Sequence, residues 1–95
     1  MTSDSNLKEN VNTIASAMDI VSQLRGVNFA WKNGGRSSVG MIAQEVEAVL
    51  PEVVHTDARG WKSISYANMV GLLIEALKEQ QTRMDVLESY LRNKT

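Results

Sequence analysis

Hydrophobic positions recur along the chain with two different periods, and each period predicts an element. From residue 10 to 25, Val11, Ile14, Met18 and Val21 fall three and four apart, and Ala17, Ile20 and Leu24 widen the stripe. That period predicts an amphipathic helix, ended by Gly26. Asn6, with Glu9 three residues on, or Asn10 would cap it. Val27, Phe29 and Trp31 then alternate with Asn28, Ala30 and Lys32, which is a strand pattern, and Asn33-Gly34-Gly35 signals a turn. Arg36 to Gly40 follows as a small-residue loop or a short return strand. Helical spacing resumes from Met41 to Leu50 through Ile42, Val46 and Val49. Pro51 pushes its predecessor out of the helical region, so that helix stops near Leu50. Val53-Val54-His55, the turn Asp57-Ala58-Arg59-Gly60 and the run Trp61 to Ile64 predict a second hairpin.

The last pattern is the longest. From Tyr66 to about Arg92 there is no proline and one glycine, Gly71. This predicts a helix of roughly 27 residues, about 40 Å long. Val70, Leu73, Leu77, Gln80, Met84, Leu87 and Leu91 follow spacings of 3, 4, 3, 4, 3, 4. These are the a and d positions of a coiled coil, with Gln80 as a polar layer or a tolerated defect. Arg83 at g and Glu88 at the following e would pair between parallel chains, and Ile74 and Ala76 widen the seam near the globular part. Glu79 and Arg83 add an expected pair within the helix. The competing reading is one amphipathic helix folded back on its own domain. That reading leaves the stripe through Leu91 without cover.

Composition narrows the function. The chain of 95 residues and 10.5 kDa is one small domain, of a size often helped by partners. It lacks cysteine and holds a single histidine, His55, so no metal and no cofactor is expected. Ten basic and eleven acidic residues give a net charge of −1, against a dedicated nucleic-acid binder. No apolar run reaches the roughly 20 residues of a membrane span. The opening Met1-Thr2-Ser3-Asp4-Ser5-Asn6 is polar, so no signal peptide is expected. A dinucleotide site is excluded by the lack of a glycine-rich phosphate loop.

Few side chains suit catalysis. A hydrolase here has only a serine paired with His55 or with a lysine. His55, in a strand-like run, reads as a structural or surface residue. Glu45 and Glu47 lie two apart on a helix and read as solvated, separate carboxylates. Trp31 and Trp61 read as core or interface packing rather than a base-stacking platform. Ser3-Asp4-Ser5-Asn6-Leu7-Lys8 holds a serine five residues from a lysine. A buried lysine can serve as the base that activates a serine, but this spacing alone has almost no specificity.

Several blocks together carry more. Ser3-Asp4-Ser5-Asn6-Leu7-Lys8-Glu9-Asn10 resembles the motif Ser-Asp-x-x-Leu-Lys-x-Asn. There follow Leu24-Arg25-Gly26-Val27-Asn28-Phe29-Ala30-Trp31, Val39-Gly40-Met41-Ile42-Ala43-Gln44-Glu45-Val46, Leu50-Pro51-Glu52-Val53-Val54, and the block from Ser65 to Glu79. In this order they resemble the C-terminal intramolecular chaperone domain of bacteriophage tail spikes and fibres, the endosialidase-type peptidase domain. A related domain is found in the eukaryotic myelin regulatory factor. The resemblance implies trimerisation, assistance to the fibre upstream, and self-release by a cut between Thr2 and Ser3. By that carry-over Ser3 is the nucleophile and Lys8 its general base, and Asp4 positions or caps.

The expected fold is therefore α+β. It is a small helical domain with short β-hairpins and a long C-terminal helix that forms a trimeric coiled coil. Residues 1–9 are the cleavage-site leader, 10–65 the globular chaperone part and 66–95 the helix. The expected function is a chaperone that cuts itself once, in cis, as a serine endopeptidase. Its partners are two further copies and a fibre client in the same precursor, with no nucleic acid, membrane or small-molecule substrate. It acts in the host cytoplasm during virion assembly and is released after the cut. The alternatives are a trimerisation module without proteolysis and a small winged-helix nucleic-acid binder.

Overall fold

The computed structural model describes residues 2–94, so Met1 of the leader and Thr95 of the helix region lie outside the described residues. The fold is α+β. Helix α1 spans Ala17–Val21, strands β1 and β2 span Val27–Ala30 and Ser37–Gly40, and α2 spans Ala43–Val49. Strands β3 and β4 span Val54–Thr56 and Lys62–Ile64, and α3 spans Val70–Asn93. Short 3₁₀ turns occupy Ser5–Leu7, Pro51–Val53 and Tyr66–Met69.

Each strand pair is an antiparallel hairpin. In the first, Val27 faces Gly40 and Ala30 faces Ser37. Its turn needs two left-handed residues in succession, and Gly34 (φ 90°) and Gly35 (φ 67°) supply them. In the second, Val54 faces Ile64 and Thr56 faces Lys62. The Asp57 carboxylate accepts the amides of Arg59 and Trp61 at 2.9 and 3.0 Å, which closes that turn. Helix α2 ends as the proline dictates, with Leu50 leaving the helical region at φ −141°, ψ 71°.

The core is two small clusters. Ala17, Leu72 and Ala76 bring α1 onto α3, and Val46, Val53 and Met69 bring α2 onto the second hairpin and the foot of α3. Leu24 and Leu50 touch both clusters and join them. Leu72 is 2 % exposed. Full burial of such a side chain stabilises by about 1.5–3 kcal/mol.

The helix expected over residues 10–25 is shortened to the five residues of α1. Asn10 and Ser16 both have left-handed backbones, at φ 54° and 53°, and these interrupt the helical path. Val11 is 78 % exposed, so the first part of the stripe has no surface of its own chain to cover. Neither Asn6 nor Asn10 caps α1. The two tryptophans are not core residues: Trp31 and Trp61 are 54 % and 71 % exposed. Trp31 rests edge-on against Phe29, with ring centroids 5.1 Å apart.

Candidate active site and assembly helix

The leader folds on itself. The Asp4 carboxylate accepts the Asn6 amide at 2.9 Å, and the Asp4 carbonyl accepts the Leu7 amide at 3.1 Å. Asp4 thereby caps the 3₁₀ turn Ser5–Leu7. Lys8 leaves that turn in an extended conformation. The reversal brings its side chain back along the leader, and Lys8 Nζ donates to Ser3 Oγ at 2.7 Å. The five-residue spacing is thus bridged by one tight turn. Thr2 precedes Ser3 directly, and attack of Ser3 Oγ on its carbonyl carbon would close a five-membered ring. Both Ser3 and Lys8 are exposed.

The other serine within reach of a base is Ser65. His55 Nε2 and Ser65 Oγ lie 2.9 Å apart. Among the described residues no carboxylate bonds the His55 ring, and Ser65 also donates its amide to the Val53 carbonyl at 2.7 Å. This pair fastens the second hairpin to the foot of α3. The two glutamates of α2 serve separate cations. Glu45 binds Arg25 through two contacts, at 3.0 and 2.6 Å, and Glu47 binds Lys62 at 3.1 Å. The paired guanidinium lowers the Glu45 carboxyl below the ordinary carboxylate range.

Helix α3 uses two faces. Leu72 and Ala76 point into the domain, whereas Val70, Leu73, Leu77, Met84, Leu87 and Leu91 are between 46 % and 70 % exposed. Gln80 is also exposed. Adjacent helical residues are about 100° apart, so the docking stripe at 72 and 76 lies beside the seam at 73 and 77. The helix packs on its own domain and leaves the positions expected as a and d exposed. Beyond Gln80, every described residue of α3 is exposed.

Glu79 departs from the sequence expectation. Rather than committing to an ion pair with Arg83, its carboxylate accepts the amides of Ala17 and Met18 at 2.8 and 3.0 Å. Those hydrogen bonds lower its carboxyl from the usual range, with Met18 the larger cause and Arg83 a smaller one. No local pattern announces a contact across 62 residues. The one available signal is an acidic residue next in register after the buried Leu72 and Ala76.

Comparison with known proteins defines the class. Residues 3–55 match the family described as chaperone of endosialidase. The long tail fibre protein Gp37 of Enterobacteria phage K3 is 38 % identical over 98 residues, covering 94 % of this chain and 8 % of that protein. Gp37 of Enterobacteria phage T2 is likewise 38 % identical, with 7 % of its length covered. Gp37 of Salmonella phage S16 is 31 % identical over 80 residues. The chain belongs to the chaperone of endosialidase family, a peptidase family by its classification. It spans about a tenth or less of the length of these fibre proteins.

Proposed function

We propose that this chain is the assembly and self-release module of a phage tail fibre. It chaperones the fibre as a trimer and cuts itself free between Thr2 and Ser3. The leader (1–9), the globular part (10–65) and the helix region (66–95) are its three working parts. The observation that supports the chemistry is the 2.7 Å approach of Lys8 Nζ to Ser3 Oγ, on the residue that directly follows the Thr2 carbonyl. Ser3 Oγ attacks that carbonyl carbon while Lys8, as general base, takes the hydroxyl proton. The proton then passes to the Ser3 nitrogen as the Thr2–Ser3 amide breaks, leaving an ester between Thr2 and Ser3 Oγ. Water hydrolyses the ester, giving a Thr2 carboxylate and restoring the Ser3 hydroxyl. Attack on the preceding carbonyl needs no substrate pocket, only a held backbone geometry.

The exposed seam of α3 supports the assembly half of the reading. Three parallel helices would bury Val70, Leu73, Leu77, Met84, Leu87 and Leu91 around Gln80, and pair Arg83 with Glu88 of a neighbour. Ser3 and Lys8 are both open to water in a single chain. That exposure favours the second reading, a trimerisation module without proteolysis.

One experiment separates them. The chain is expressed with its fibre segment ahead of Thr2, beside Ser3→Ala and Lys8→Ala copies, and intact masses are followed. A break before Ser3 that both substitutions abolish establishes the self-cleaving module. Whole chains assembled as trimers leave only the assembly module.

A further inference from the structure

Every described residue from Thr2 to Ser16 is exposed. Among the described residues, no hydrogen bond or ion pair joins residues 2–15 to the rest of the fold; their bonds stay inside that segment. The chain first becomes fixed at Ala17, which is fully buried against Leu72 and Ala76. At that same point α1 begins, and its ordinary cap is missing. Ser16 has a left-handed backbone and makes no side-chain cap hydrogen bond. Glu79 takes its place from the long helix, with Oε2 2.8 Å from the Ala17 nitrogen and Oε1 3.0 Å from the Met18 nitrogen. Two hydrogen bonds to one ionised carboxylate are among the stronger polar contacts a protein makes. The start of α1, from which residues 2–16 extend, is therefore fastened, by one side chain and one buried methyl, to the helix that carries the exposed apolar stripe.

Resting on the self-cleaving reading above, we propose that Glu79 is a positioning residue for the cut. It fixes the start of α1 to α3, so that assembly of α3 sets where the segment carrying Ser3, Lys8 and the Thr2 carbonyl leaves the fold. Glu79 does not touch the reacting atoms and acts through the residues that connect Ala17 to Lys8. Glu79 lies on the docking side of the helix, away from the a and d positions. Its loss should therefore separate cleavage from assembly.

The test uses the chain with its fibre segment ahead of Thr2, as wild type, Glu79→Ala, Glu79→Gln and Ser3→Ala. Cleavage is followed by intact mass, assembly by light scattering, and the Ala17 and Met18 amides by NMR. Glu79→Ala is expected to cut about tenfold more slowly while remaining a trimer, with both amide resonances shifted. Glu79→Gln keeps an acceptor oxygen and should recover part of the rate. Wild-type rates in both Glu79 variants overturn the proposal. So does a Glu79→Gln variant that loses the trimer together with the cut, because Glu79 is then an assembly residue. If wild type stays whole like Ser3→Ala, the self-cleaving reading has failed and the proposal falls with it. That pattern is distinct, since it does not depend on Glu79.

Discussion

The hydroxyl of Tyr66 accepts a hydrogen bond from the amide of Met41 at 3.0 Å, and it does so across the space left by a glycine. A Cβ on Gly40 would stand 2.7 Å from that hydroxyl oxygen and 3.5 Å from Phe29. The first hairpin is thereby fastened to the turn that opens α3. Gly40→Ala should displace the tyrosine ring and cost about 1–2 kcal/mol. Tyr66→Phe should cost about 0.5–1.5 kcal/mol. The two should be strongly non-additive, because the phenylalanine lacks the atom that the new methyl meets. Thermal or urea melts of the two single variants and the double variant measure the coupling. Additive losses would show that the close approach has no energetic role.

Leu72→Ala tests the docking face. Leu72 is almost wholly buried between α1 and α3, and removing its side chain should cost about 2–5 kcal/mol. In a domain this small that is a large share of the total stability. Urea unfolding should show the loss, with amides of α1 exchanging fastest. A loss under 1 kcal/mol would mean that α1 barely depends on α3.

Leu77→Asp tests the neighbouring face. Leu77 is 70 % exposed in the single chain, so a charge there leaves the globular part intact. In a trimer it places three carboxylates at one layer of the seam, which desolvation and mutual repulsion oppose. Light scattering should report a monomer, with the hairpins retained by NMR. An unchanged mass would reject the seam.

The attachment of α1 should depend on pH. The Glu79 carboxyl is held below the ordinary carboxylate range by the amides of Met18 and Ala17. A carboxyl lowered on folding adds stability that is fully present above its unfolded value, about 4.3 for glutamate. That stability is lost as the pH falls through the lower folded value. Protection of the Ala17 and Met18 amides, their exchange rate measured against the intrinsic rate at each pH, should therefore fall as the pH drops below about 4. Glu45 titrates in the same direction through its Arg25 contact, so the comparison is with Glu79→Gln. That variant should retain only the Glu45 part of the effect. Identical curves would show that Glu79 is not the titrating group.

Much of the fold was legible where the signal was local. Asn33-Gly34-Gly35 and Asp57-Ala58-Arg59-Gly60 announced two hairpins because left-handed backbone and Asp-to-amide bonding are short-range chemistry. Pro51 set the end of α2 for the same reason. Residues 10–16 misled because periodicity reports a face that wants cover and does not say whether the chain supplies it. Val11 and Ile14 have the spacing of a helix, and this chain offers them no partner. The exposed apolar stripe on α3 was legible for the converse reason: its length exceeded what the preceding residues could cover. The approach of Lys8 to Ser3 follows from a 3₁₀ turn that no apolar pattern encodes, so only the motif resemblance singled those residues out. The contact of Glu79 with α1 was invisible, since nothing local relates positions 17 and 79.

The exposed stripe on α3 also sets the fate of a chain that finds no partners. Leu77, Leu87 and Leu91 are each more than half open to water. Such a stripe is what holdase chaperones bind and what drives aggregation. An orphan chain would thus be short-lived in a cell, whereas burial in an assembled bundle would hide the signal. The same leucines that would recruit neighbours would then act as a timer on solitude, and removal of unassembled subunits would follow without a separate device.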